Sequence, residues 1–116
     1  MRRFAGKLYY SGPGSDYLDV TTFIIRGDEI AFSLASVTQE YGCWVADSTQ
    51  TAILNHSNGT YLAKNVNATQ QGISLSSPWN IAFTIKDGED EKYIEVEGVL
   101  IEEGIAYNFD GELEAV

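Results

Sequence analysis

FDGEL, residues 109–113, repeats the phrase of FAGKL, residues 4–8: Phe, any residue, Gly, a charge, Leu. A looser copy, VEGVL, occupies residues 96–100. Successive side chains of a β-strand point to opposite faces. Phe4, Gly6 and Leu8 therefore share one face, and Lys7 takes the other. Phe109, Gly111 and Leu113 repeat the arrangement, with Glu112 on the opposite face. Glycine inside a strand marks a bend, a bulge or a close backbone approach. An inward glycine lets a small barrel curve while its bulky neighbours fill the interior. Both phrases thus read as inner faces of strongly curved strands. Lys7 and Glu112 on adjacent strands would favour pairing by roughly a few tenths of a kcal/mol. The first and last strands are expected to lie side by side.

Strand signals continue between these two phrases. A strand over about Arg3 to Ser11 ends in the turn cluster SGPGSD, and YLDVTTFIIR follows, up to Arg26. Gly27 and Asp28 turn the chain into EIAFSLAS, where Ile30, Phe32 and Leu34 share a face. After TQEYG a long extended stretch runs from Cys43 to Asn55. HSNG then turns it into TYLAKNV, an Asn-Gly hairpin signature. NATQQG reads as a polar loop, in which a short helix is an alternative, as it is in SDYLD. GISLS reads as a short strand. WNIAFTIK puts Trp79, Ile81, Phe83 and Ile85 on one face. DGEDE is the next turn, and KYIEVEGVLIE joins IAYNFDGELEAV through Glu103-Gly104. In the last strand Ile105, Tyr107, Phe109, Gly111 and Leu113 form the apolar face.

These elements define an all-β fold over residues 1–116: a small single-domain antiparallel meander of about eight strands. An open meander leaves two exposed edges, whereas closure removes them. A closed barrel is the expected architecture, and a two-sheet β-sandwich is the alternative. The size and plan resemble the lipocalin and streptavidin barrels in architecture only. No motif of either family is present, so no residue role is carried across.

The chain has 44% apolar and 12% aromatic residues, enough for a core without disulfide or metal staples. Its single cysteine, Cys43, has no intramolecular partner, which favours a reducing compartment. MRRFAGKLYY has no signal-like apolar run, and no stretch reaches the roughly 18 apolar residues of a membrane helix. The expected location is cytoplasmic, without a membrane partner.

The formal net charge is −10, concentrated from Lys86 onward. Nucleic-acid binding needs a basic patch to neutralise phosphates, and the sequence has none. The acidic C-terminal part reads as a solvated face, or as a docking surface for a basic partner.

The candidates for chemistry are sparse. His56 is the single histidine and sits in the polar turn NHSNG, where it is expected to be solvated. Cys43, beside Trp44, reads as a core or wall residue without an adjoining base. The obvious carboxylate pairs lie on the wet parity of their strands, where burial cannot raise their pKa. DGEDE lacks the spaced ligands of a calcium loop. No catalytic residue, metal site or cofactor is expected. Arg26-Gly27-Asp28 is read as a hairpin turn. The three Asn-X-Ser/Thr sequences at Asn55, Asn58 and Asn67 matter only for an exported protein.

Seven tyrosines and two tryptophans are the remaining functional signal. Tyr and Trp combine an apolar body with a polar tip, and they line ligand cavities and interfaces. Trp79, Trp44 and Tyr107 are the pocket-wall candidates. The first functional expectation is a non-enzymatic barrel binding a small apolar or aromatic ligand in an aromatic-lined interior. The alternative is a structural or interaction protein, acting by self-association as a homo-oligomer or through its acidic C-terminal face.

Overall fold

A computed structural model describes residues 2–86 and 92–116. Its strands are β1 (Arg2–Tyr10), β2 (Tyr17–Arg26), β3 (Glu29–Thr38), β4 (Gly42–Ala46), β5 (Gln50–Asn55), β6 (Thr60–Val66), β7 (Ala68–Gln70), β8 (Ile73–Ser74), β9 (Trp79–Lys86), β10 (Tyr93–Glu102) and β11 (Ile105–Ala115). β1, β2, β3, β5, β6, β9, β10 and β11 close into an eight-stranded antiparallel barrel. β4, β7 and β8 continue the sheet beyond β3.

The two glycine phrases form the closing seam. β1 pairs antiparallel with β11, with Gly6 opposite Leu113 and Tyr10 opposite Phe109. A β-carbon on Gly98 would meet Leu8 Cδ1 at 3.2 Å, and one on Gly111 would meet Leu8 Cδ2 at 3.4 Å. The two glycines thus leave the space that Leu8, fully buried, occupies. The expected Lys7–Glu112 attraction is replaced by another contact. The Lys7 ammonium lies over the Tyr17 ring, 4.8 Å from its centroid, a cation–π geometry.

Alternation accounts for most of the core. Ile30, Phe32 and Leu34 of β3 are buried, as are Trp79, Ile81 and Phe83 of β9. In β2 the inward parity changes hand, from Leu18 and Val20 to Phe23. The cause is a bulge at Thr21: Val20 pairs with Leu34 but Thr22 with Ser33. A bulge inserts one residue and moves every later side chain to the other parity.

Three sequence expectations need correction. The stretch from Cys43 to Asn55 is broken at residues 47–49 into β4 and β5, both of which pair with β3. NATQQG is not a loop: Ala68–Gln70 forms β7, which pairs with β4, because Ala68 finds a buried place in the core. Neither it nor SDYLD is helical, and the described residues contain no helix. Cys43 is neither core nor wall. It is exposed on β4, on the parity opposite Trp44 and Ala46. The turn DGEDE lies outside the described residues.

Candidate functional site

Strand register brings the three aromatic candidates toward one end of the barrel, here called the upper rim. Trp79 opens β9 opposite Val66. Trp44 stands on β4 opposite Ser36, near the end of β3. Tyr107 stands near the start of β11 opposite Leu100. Their surroundings differ. Trp79 is buried, and its indole Nε1 donates to Glu102 Oε2 at 2.8 Å. Trp44 is half-buried against the core, as is Leu75. Tyr107 remains 37% exposed, although it lies on the apolar parity. β11 pairs with β1 only from Phe109 onward, and Ser11 reaches just to the Asn108 carbonyl. Residues 105–107 thus project beyond their neighbour strand.

Tyr107 packs against Tyr10 with ring centroids 6.2 Å apart, and Tyr10 packs against Phe109 at 5.6 Å. Tyr10 is inward and Tyr9 is exposed, in line with their opposite parities. The same end of the barrel therefore carries a partly open aromatic cluster and a buried tryptophan.

Below the rim the interior is occupied. Phe23 of β2 and Phe83 of β9 meet edge to face at 5.3 Å, and Phe32 of β3 meets Phe83 at 4.9 Å. β2 and β9 stand four places apart around the eight-stranded ring, on diametrically opposite walls. Side chains that touch across the full diameter leave no open channel in that layer. An eight-stranded barrel is about the size that its own side chains can fill.

His56 Nε2 lies 3.1 Å from Asp28 Oδ2 in an exposed pair at the opposite end. Among the described residues no group of three His, Cys, Asp or Glu side chains is placed to hold a metal ion. Glu102 is the one carboxylate on the inward parity of β10, with Ile94, Val96 and Leu100. That parity was the signal for its role, and it receives the indole hydrogen bond. Glu103, next to it, accepts from Ser77 Oγ at 3.2 Å. The inward phases of Phe32, Phe83 and Phe109 are legible in the sequence, but their heights along the barrel axis are not, and the bulge at Thr21 hides the phase of Phe23.

The outer face of β10 and β11 is acidic. Glu95 stands directly opposite Glu112, and Glu97 opposite Asp110. A shallow depression of about 270 Å³ is lined by these four and Lys86. Lys86 Nζ contacts Glu97 Oε1 at 2.6 Å. The hydrogen bond and the negative charge of Glu97 raise the Lys86 pKa above its ordinary value.

Among the described residues no helix is long and apolar enough to cross a membrane. No protein-family model matches the chain, and neither does any curated protein.

Proposed function

We propose that this barrel is a non-enzymatic interaction protein that works through its outer surface, chiefly by self-association. The contact of Phe23 with Phe83 carries this reading. A ligand-holding barrel keeps its interior free, whereas here opposite walls are joined by rings in edge-to-face contact. Binding is thereby directed to the outside. The outer wall offers two kinds of surface: the acidic ladder of β10 and β11, and uncharged apolar positions on neighbouring strands.

A second reading is a small apolar or aromatic ligand held at the upper rim. The convergence of Trp79, Trp44 and Tyr107 on one end favours it, with Tyr107 and Tyr10 offering the accessible rings. Such a ligand would rest on the Phe layer rather than within it.

Native mass spectrometry of protein purified from its own host separates the two. The interaction reading expects an assembly, or a complex with another macromolecule, and no retained small molecule. A stoichiometric small ligand whose removal changes Trp79 emission would overturn it in favour of the rim.

A further inference from the structure

An apolar rib crosses the outside of the barrel over four successive strands. Ile53 of β5 stands opposite Leu62 of β6. Leu62 stands opposite Ala82 of β9, and Ala82 opposite Val99 of β10. Each points outward, because its chain neighbours Ala52, Ala63, Ile81, Phe83 and Leu100 are buried inside. Ile53 is 58% exposed. Antiparallel sheets commonly alternate apolar-in with polar-out, so a continuous apolar row on the wet side breaks the pattern of this fold. The break is local. On the same wall, Glu95, Glu97, Asp110 and Glu112 keep to the usual rule.

We propose that this rib is a self-complementary docking surface for a second copy of the chain. The proposal rests on the surface-interaction reading above and names the surface that does the work. Two features of the rib select this occupant.

The first is shape. A two-fold axis running along the strands between β6 and β9 sets β5 against β10 of the second copy and β6 against its β9. Ile53 then faces Val99 of the second copy, and Leu62 faces its Ala82. Each contact puts a larger side chain against a smaller one, so the two ribs interdigitate. A closed two-fold contact of this kind uses the same patch on both subunits, and sheets pack face to face in near alignment.

The second is charge. The chain carries −10, so self-association through most of its surface would bring like charges together. The rib itself is uncharged. Along the same strands its outward flanks are Thr51, Lys64, Asn80 and Ile101 on one side, and Asn55, Thr60, Thr84 and Glu97 on the other. Under the same axis Lys64 faces Asn80 and Glu97 faces Asn55. No like charges meet, and each charge faces an amide able to hydrogen-bond it.

Sedimentation equilibrium of the full chain at micromolar concentration is expected to give a dimer. Leu62→Glu, which buries two carboxylates at the centre of the contact, should shift it to monomer with unchanged circular dichroism. Ile73→Glu, an exposed apolar position on β8 away from the rib, should leave the dimer intact. In a Cys43→Ser background, mixing Ile53→Cys with Val99→Cys should give covalent dimers with a short bis-maleimide, whose reach suits facing sheets about 10 Å apart. Neither variant alone should do so efficiently, since like positions lie about three strand spacings of roughly 4.8 Å apart.

A monomeric wild type overturns the rib as a self-docking surface, while the surface-interaction reading keeps its own mass-spectrometric test. A dimer that survives Leu62→Glu and gives no cross-link in the mixture also overturns the rib, yet leaves self-association standing. The cross-link is read without unfolding the protein, so it decides the matter even if Leu62→Glu fails to fold.

Discussion

The carbonyl oxygen of Lys7 lies 2.5 Å from where a β-carbon on Gly111 would sit. That oxygen belongs to the backbone of β1 and cannot swing aside as a side chain can. Gly111→Ala must therefore push β1 away from β11 at the seam that closes the barrel. Overpacking of this kind costs about 1–3 kcal/mol, and the upper end is expected here. Gly98→Ala should cost less, because its added carbon meets Leu8 Cδ1 at 3.2 Å, the end of a side chain that can rotate. Urea unfolding of the two variants measures the difference. Equal losses would mean that close backbone approach is not what the glycine of FDGEL provides.

Phe83 joins Phe23 and Phe32 across the barrel. Removing its ring should destabilise the protein by about 3–5 kcal/mol, the usual range for Phe→Ala in a core. The same variant should gain a property the wild type lacks. The space it opens is lined by apolar groups, and such cavities stay dry and accept small apolar molecules. Phe83→Ala should be stabilised by benzene in a thermal-shift assay, and the wild type should not. A comparable shift for the wild type would reveal interior space already free.

The sequence carried strand phase well and height poorly. Period-two alternation puts Phe4, Leu8, Phe109 and Leu113 inward, where they are buried. The repeated glycine phrase, with the need to close two edges, points to the pairing of β1 with β11. Alternation also sends Glu95, Glu97, Asp110 and Glu112 outward. Phase alone cannot say where a strand outruns its neighbour. Ile105 and Tyr107 share the parity of Phe109, yet they are exposed because β1 has ended before reaching them. The bulge at Thr21 lies in a run, VTTF, whose residues suit a strand in either phase. β7 was hidden for a related reason: Asn67, Thr69, Gln70 and Gln71 are polar, and only Ala68 among them is buried. Residue type alone marks Trp79, Trp44 and Tyr107 as pocket candidates. Register brings them to one end, but whether rings meet across the interior depends on three-dimensional reach.

Glu102 offers a test of the rim. Its carboxylate accepts the Trp79 indole N–H in a partly buried setting. Glu102→Ala leaves that donor unsatisfied, which costs about 1–3 kcal/mol. Glu102→Gln keeps an acceptor oxygen at the same place and should recover most of the loss. The indole N–H resonance of Trp79 should move strongly in the alanine variant and little in the glutamine variant. If both variants are as stable as wild type, the hydrogen bond does not anchor the rim.

The acidic wall makes opposite predictions for its two kinds of charge. Glu95 and Glu112 are directly opposed, and like charges so placed destabilise a sheet. Glu112→Gln should therefore stabilise the protein by about 0.2–1 kcal/mol, and the gain should fade as added salt screens the pair. Lys86 is the favourable partner on the same wall. Its pKa is raised in the folded state from 10.5, first by the hydrogen bond from its ammonium to Glu97 and then by the charge of Glu97. A group whose pKa is raised by folding contributes fully below its unfolded pKa and loses that contribution as pH rises through the folded value. The Lys86–Glu97 pair should therefore help throughout neutral pH and lose its effect only above pH 10.5. Since both side chains are largely in water, the effect at pH 7 is expected to be small. Chemical unfolding of wild type and Lys86→Met across the alkaline range should give two stability curves that converge above that pH. Curves that stay parallel would show that the methionine changes packing rather than charge.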